Sequence, residues 1–588
     1  MPYRTIDRGW PSDPKQESMP AQCLDGKDEV DLYVRTYNTI LRSSGDIRLR
    51  AFVQAHIGVH SNLHVDADSP RPDPGAFIYC IHRLPACIVG VKHIVIGQLP
   101  EDFERTFASP LETWEKVQAP ARRRQWHFDG NDTLAVHVAS PSDLDDLIPT
   151  LVAYQIEWNK LHARLRNAPV ALRLWEHAGQ EPFDGYLDRL AQYLDFPEQD
   201  WRRLQQIWGS RFWPTLCGVA RGEKNMTVRL LGGTHVGYAK LIRRWWQQIG
   251  SVLADHAMEK RPVYFVSSNM HAIANLLSGY ARRRASMLSD FMAASHEGEM
   301  ATELAALREA REAYNWDNVL YYAARLWHQQ RRSNQHKEAR QREEEERGIL
   351  TIAPVEGIDV GAQVIDLSRL QQEDLDPRLA DLAPRLAHSD AIILNIDYPL
   401  GMAAYHMLRQ VTETLDDLRG IYVLGKAATL NGAIGDVMIS DVVFDEHSKN
   451  VYSFENAFGY QDVAPYLERG SVLDNQRSVT VKGTFLQNRE YLEFFYRESY
   501  TVVEMEAGPY LSAIYEATHP TRHPLGEDVH FRHLPFDLGI IHYASDTPYT
   551  RARTLGGRSL SFEGIDSTYA SAVAILRRIL EREGSRAR

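Results

Sequence analysis

Hydrophobic and polar positions change period several times along the chain. Val30, Leu32, Tyr33, Tyr37, Ile40 and Leu41 recur at helical spacing, and a second short element is expected between residues 47 and 60. Residues 1–28 read as a loose arm. Residues 69–75 are proline-rich and read as a loop. Residues 76–83 and 86–96 suit two strands, or a buried helix followed by a strand. Residues 126–138 carry the clearest hairpin pattern, two apolar runs around Asp129-Gly130-Asn131-Asp132. Ser142 or Asp143 can cap a helix running to residue 166, with Pro149 expected to break or restart it.

Residues 167–258 read as mainly helical, with Trp175, Trp201, Trp208, Trp213, Trp245 and Trp246 building a core. Residues 263–266 form a wholly apolar run of the parallel-strand type, leading into Ser267-Ser268-Asn269-Met270-His271. A charged helical excursion, 286–347, ends in Glu343-Glu344-Glu345-Glu346-Arg347 and suits a solvated hairpin or a subunit arm. Strands are expected again at 348–355, 391–395 and from Gly420. Gly401-Met402-Ala403-Ala404 opens a helix between the last two, which is a βαβ pattern. The domains expected are therefore an N-terminal α/β domain at 1–166, a helical region at 167–258 and an α/β domain at 259–588.

Composition narrows the class. A chain of 588 residues with 44% hydrophobic positions suits two to four domains. A net charge of −12 argues against non-specific nucleic-acid binding, which needs a basic face. Cys23, Cys80, Cys87 and Cys217 form no Cys-x-x-Cys pair, which suits a reducing cytoplasm. No apolar run reaches 18 residues, so neither a membrane span nor a signal peptide is expected. His56, His60 and His64 are spaced for one helix face, but Gly58 interrupts it, and a core role is preferred to a metal face. Arg122-Arg123-Arg124 is expected to be a solvated strand edge rather than an anion site. The Gly232-Gly233 turn is expected to be an ordinary strand-to-helix connection rather than a phosphate site.

Candidate chemistry centres on Val502-Val503-Glu504-Met505-Glu506. Two carboxylates at alternate positions near a buried strand end are costly unless something holds them, and a sugar cis-diol can donate two hydrogen bonds to one carboxylate. Other segments fall around it in order: Gly425-Lys426-Ala427-Ala428, then Gly435-Asp436, then Thr484-Phe485-Leu486-Gln487-Asn488, and finally Ser545-Asp546-Thr547. This ordered set resembles the purine nucleoside phosphorylase and nucleosidase superfamily. Within it, the AMP nucleosidases and the methylthioadenosine/S-adenosylhomocysteine nucleosidases are most similar. The resemblance spans residues 390–582, about a third of the chain, and extends to the short 263–271 stretch.

The resemblance implies a nucleoside-phosphorylase-like mixed sheet flanked by helices for the C-terminal part. It also implies cleavage of the N-glycosidic bond of a purine nucleotide or nucleoside, without a cofactor, by a homo-oligomer. Asp546 would be the acid at the base. Glu506, Met505 and Glu504 would hold the ribose, and Phe485, Leu486 and Ser545 the base. Lys426, Arg551, Arg553, Arg558, Ser268 and Asn269 would meet a 5′-phosphate. Two departures stand out. The Ser267–His271 loop has no carboxylate to activate water, and Lys426 stands where phosphorylases place a serine. A phosphate-dependent phosphorylase and a catalytically silent nucleotide sensor remain the alternatives.

Overall fold

The computed structural model describes residues 21–43, 45–166, 186–294, 315–330, 334–547 and 563–586. The architecture is mixed α/β and is built on two sheets. The smaller sheet contains β1 (Ile47–Arg48), β2 (His93–Gly97), β3 (Glu115–Ala119), β4 (Arg122–Phe128), β5 (Thr133–His137) and β6 (Thr227–Leu230), in the order β1-β6-β2-β5-β4-β3. The β4–β5 hairpin forms as its turn chemistry predicts. Asp129 Oδ1 accepts the N–H groups of Asn131 at 2.8 Å and Thr133 at 3.0 Å, and Gly130 takes φ +81°.

Of the two readings for 76–83, the helix holds. Pro74–Arg83 starts at Asp73, whose side chain accepts the Ala76 N–H at 3.0 Å, with Pro74 in the first turn. The helix Pro141–Arg166 runs straight through Pro149, contrary to the expected break. Almost every residue from Ser142 to Trp158 is buried, so packing outweighs the roughly 3 kcal/mol that an interior proline costs.

The tryptophan-rich stretch is not one region, which corrects the 167–258 expectation. Trp201 and Trp208 pack with Phe77, Tyr154 and Phe212 under the small sheet, whereas Trp245 and Trp246, on the helix His235–Asp255, pack under the large one. Between them β6 enters the small sheet. Trp175 lies outside the described residues. The Gly232-Gly233 turn is closed by Gln98, whose amide exchanges hydrogen bonds of 3.2 Å with both the N–H and the C=O of Thr234.

The large sheet contains β7 (Val263–Ser268), β8 (Ile349–Ile352), β9 (Ala362–Asp366), β10 (Ile392–Asp397), β11 (Leu418–Thr429), β12 (Val437–Asp445), β13 (Val451–Phe454), β14 (Val472–Thr480), β15 (Val502–Glu504), β16 (Asp528–Phe531) and β17 (Asp537–Asp546). β10 and β11 both run parallel to β7, and the helix Met402–Thr414 connects them as the βαβ pattern requires. β17 pairs with both β11 and β12, so β11, β15, β14, β12 and β17 close into a ring. Ala427, Met438, Val502 and Ala544 pack together between its strands, with Leu473 against them.

Among the described residues of the charged excursion, the helix Asn334–Glu346 is largely solvated but the helix Trp316–Gln330 is not. On the helix Trp316–Gln330, Val319, Leu320, Tyr321, Ala323 and Ala324 are buried in one core with the C-terminal helix Glu563–Arg586. The polar residues that disguise this face make specific pairs; Glu343, for example, accepts from Arg284 at 2.6 Å. No described helix is long and apolar enough to cross a membrane.

Candidate active-site crevice

Strand register creates a gap beside β11. On one edge, β7 pairs with β11 only as far as Val423, and β15 begins pairing at Ala428 and Thr429 from the opposite direction. Residues 424–427 of β11 therefore lie between the carboxyl ends of two strands that approach each other. This is the position where open α/β sheets bind ligands. The end of β7 and the loop after it bring Ser268, Asn269 and His271 to one side. The segment after β15 brings Glu504, Met505 and Glu506 to the other. β10 ends alongside and brings Tyr398. On the far edge of β11, Asp546 pairs with Ala428, whose other neighbour is Val503. The backbone of Asp546 is thus two strand spacings, about 10 Å, from that of Val503.

The two glutamates straddle the junction of β15 with the helix Ala507–Thr518. Glu504 is 3% exposed, and its Oε2 accepts the N–H groups of Glu506 and Ala507, each at 2.6 Å. Its other oxygen is held by the Thr480 hydroxyl. Glu504 therefore caps a helix and ties β14 to β15, a structural use the ribose expectation did not include. Glu506 is 5% exposed and accepts from the Gly401 N–H at 3.0 Å and the Met505 N–H at 3.3 Å. Burial, and then the Glu506 charge, push Glu504 up to about 8. Burial pushes Glu506 up to about 7, against the opposing pull of its donors and of Arg122. Met505 is half-buried beside Val503.

The remaining expected residues divide. Asp546 is half-buried at the end of β17, and the Ser545 hydroxyl donates to its Oδ2 at 2.9 Å. Lys426 is exposed on β11. Asn269 sits in the β7 loop, its side-chain oxygen capping the next helix through the His271 and Ala272 N–H groups at 3.1 and 2.6 Å. The phosphate role expected of Ser268 does not fit: its side chain is fully buried, and its hydroxyl donates to Asn395 Oδ1 at 2.7 Å. Arg551, Arg553 and Arg558 lie outside the described residues.

Phe485 and Leu486 are also corrected. Both belong to the core under the small sheet, 2% exposed. The Phe485 ring is enclosed by His56, His64 and Tyr79, at centroid separations of 5.7, 6.2 and 5.1 Å, which leaves no open face for a base. The whole 482–488 loop is held there. Lys482 pairs with Asp31 at 3.2 Å, the Asn62 N–H donates to the Gln487 C=O at 2.8 Å, and Asn488 Nδ2 donates to the Val59 C=O at 3.1 Å. The histidines around it form a buried chain. Tyr33 Oη is 3.2 Å from His56 Nδ1, His56 Nε2 is 2.9 Å from His64 Nδ1, and His64 Nε2 is 2.8 Å from Glu157. His60 is exposed and apart, and no group of three metal-ligating side chains occurs among the described residues.

The arginine triplet is an interface rather than a solvated edge. Arg122 grips Asp146 through two bonds of 2.9 and 2.7 Å, and Arg124 reaches Asp143 at 2.7 Å and Asp146 at 2.8 Å. Arg123 pairs with Asp397 and donates to the Tyr398 C=O on the large sheet. Gly401, at φ +53°, lies so close to Ser142 that a Cβ would fall 2.3 Å from its hydroxyl oxygen. The small-sheet unit thus seals one side of the crevice.

Two groups there escaped sequence reasoning. The Tyr398 hydroxyl lies over Gly425, where a Cβ would meet it at 2.2 Å. It faces Glu506 but makes no hydrogen bond of acceptable geometry. His542 is the β17 partner of Gly425; it is fully buried, neither ring nitrogen is bonded among the described residues, and burial lowers it to about 4. Gly425 is the one legible trace of Tyr398, because only a missing side chain leaves room for its ring. An open depression of about 350 Å³ on the helix Glu198–Trp208, lined by Glu198, Gln199, Arg202, Arg203 and Gln206, shares no residue with the crevice.

Fold and crevice together define an α/β protein with a candidate ligand site at the carboxyl ends of its parallel strands. The chain belongs to the Family of unknown function (DUF6909), whose model matches residues 49–581. No curated protein matches it. Solved structures that match include methylthioadenosine phosphorylase from an antarctic soil metagenomic library, at 8% identity over 32% of this chain and 70% of that one, TM-score 0.25. Uridine phosphorylase from Schistosoma mansoni in its apo form matches at 15% identity over 32% and 71%, TM-score 0.22. The Streptococcus pneumoniae MTA/SAH nucleosidase in complex with 8-aminoadenine matches at 12% identity over 32% and 81%, TM-score 0.24. At such scores these likenesses carry no argument about this chain.

Proposed function

We propose that the crevice binds a purine nucleoside or nucleotide and cleaves its N-glycosidic bond. The observation that carries this reading is the strand register: β7, β15 and β17 end beside residues 424–428 of β11, so the segments that carry Glu506, Met505, Lys426 and Asp546 adjoin one gap. Glu506, anchored by two backbone N–H groups, keeps lone pairs for the O–H groups of a ribose diol. Asp546 would give a proton to the purine as the bond from C1′ to the base nitrogen breaks. Water then adds to C1′ and loses a proton. General acid help of this kind contributes about 10²- to 10⁴-fold.

A second reading is favoured by one observation. The loop expected to stack on the base is clamped in the small-sheet core, as a sensor that reports occupancy to its N-terminal unit would require. Incubating the full chain with a panel of purine nucleosides and 5′-nucleotides, with free base followed by chromatography, separates the two. Release of base supports the hydrolase. A rate that requires inorganic phosphate indicates phosphorolysis. Saturable binding without base release supports the sensor.

A further inference from the structure

The loop between β10 and the helix Met402–Thr414 is held from two sides at once. The Ala403 and Ala404 N–H groups bond back to the Leu400 and Gly401 carbonyls at 3.1 and 2.9 Å. The two N–H groups before them, which a helix start leaves unpaired, go to different owners. Gly401 donates to Glu506 Oε1 at 3.0 Å, and Met402 donates to Ser142 Oγ at 2.9 Å. Ser142 belongs to the small-sheet unit, at the start of the helix Pro141–Arg166. The same unit takes the loop at further points. Arg123 pairs with Asp397 and donates to the Tyr398 C=O, and the Ser140 hydroxyl donates to the Leu400 C=O at 3.5 Å.

Gly401 and Met402 have little freedom between these holds. Gly401 takes φ +53°, and a Cβ there would fall 2.3 Å from Ser142 Oγ and 2.5 Å from Ser142 Cβ. Ser142, Gly401 and Glu506 are all buried, so water cannot replace these bonds unless the interface opens. Ser142 is fixed in turn by its neighbour. Asp143 Oδ2 accepts the Ala139 and Ser140 N–H groups at 2.8 and 3.1 Å, and Arg124 Nε donates to its Oδ1 at 2.7 Å. Glu506 therefore rests on a run of short contacts that begins at Arg124 on β4. Its other backbone donor, the Met505 N–H at 3.3 Å, is its own chain neighbour and moves with it.

We propose that Ser142 is a positioning residue for Glu506: by holding the Met402 N–H, it sets the Gly401 N–H against one carboxylate oxygen and so orients the remaining lone pairs for a sugar diol. A carboxylate takes two O–H groups of a diol only in a limited range of orientations, and a bond to a fixed N–H restricts how it can turn. The small-sheet unit then completes the ribose site as well as walling the crevice. The nucleoside reading supplies only the identity of the ligand; the coupling of Ser142 to Glu506 stands without it.

The test compares the full chain with Ser142→Ala and with Arg123→Gln, which loosens the same loop at a half-exposed side chain. Preference for adenosine and AMP over their 2′,3′-dideoxy counterparts is read as a ratio of kcat/KM, or of Kd where no base is released. That ratio should fall about tenfold in Ser142→Ala, the size of one charge-assisted hydrogen bond, and by less in Arg123→Gln. A residue that only caps a helix would weaken both ligands together and leave the ratio alone. Separately, the Glu506 carboxyl is followed without ligand as the infrared C=O band that Glu506→Gln removes. Its midpoint, about 7 in the wild type, should rise in Ser142→Ala as the Gly401 N–H loses its hold on the charged form. An unchanged ratio or an unchanged midpoint in both variants would overturn the proposal, as would a wild type that binds these ligands without preferring the diol. A midpoint that rises in a protein that binds none of them would uphold the coupling while the nucleoside reading fell. If Ser142→Ala does not fold, Arg123→Gln decides on the same two readouts.

Discussion

Arg122, Arg123 and Arg124 and the crevice side chains share one interface, yet the two groups follow opposite rules. Each arginine of the triplet meets a carboxylate: Asp146, Asp143 or Asp397. In the crevice, among the described residues, both nitrogens of His542 have no hydrogen-bond partner, the Tyr398 hydroxyl faces Glu506 without a well-formed bond, and two glutamates are buried close enough for one to raise the other. The contrast separates two uses of a buried polar group. A matched charge set fixes how the small-sheet unit docks. An unmatched set costs stability wherever it is buried, and it persists where something other than folding holds it in place.

The largest expected effect is on the matched side. Asp146→Ala leaves two buried guanidinium groups short of a partner and should cost about 3–5 kcal/mol in unfolding free energy, read from urea denaturation. A loss under 1 kcal/mol would mean the network is ornamental. Phe485→Leu comes next. If the ring is core, the swap should cost about 1–1.5 kcal/mol and leave the KM of any cleaved nucleoside unchanged. If the ring stacks on the base, KM should move while stability holds.

The smallest effect is a pH slope, and it distinguishes the two sets by sign. Burial pushes Asp146 upward, but Arg122 and Arg124 outweigh it and hold the carboxyl well below its usual range. Its contribution is present above the unfolded value near 3.9 and is lost as pH falls. Glu504 and Glu506 are raised to about 8 and about 7. Their contribution is complete below the unfolded value near 4.3 and is lost as pH rises through 7 and 8, at no more than about 1.4 kcal/mol per pH unit for each proton. Glu504→Gln should flatten the fall in unfolding free energy between pH 5 and pH 8. An unchanged slope would show that Glu504 does not titrate there.

Much of the scaffold was legible because it is local. The Asp129–Asp132 turn, the apolar β7, the helix between β10 and β11, and the Glu-Met-Glu segment each declare themselves over a few residues. What escaped depends on register or on distant partners. The arginine triplet reads as solvated because Asp143 and Asp146 lie about 20 residues on, inside a helix pattern. Phe485 reads as a base-stacking ring because its three neighbours, His56, His64 and Tyr79, come from another part of the chain. Tyr398 lies against Gly425 and His542 is the strand partner of that glycine, and no periodicity expresses either. The buried face of the helix Trp316–Gln330 is masked by its charged surroundings.

The central claim is that Asp546 performs chemistry in a crevice whose framework other residues support. Rates of free-base release by wild type and Asp546→Asn, measured at pH 7 with the melting temperature of each, test it most directly. The account predicts a fall of about 10²- to 10⁴-fold in rate at an unchanged melting temperature. Cleavage that survives the substitution, or a rate that falls only in step with stability, would contradict it.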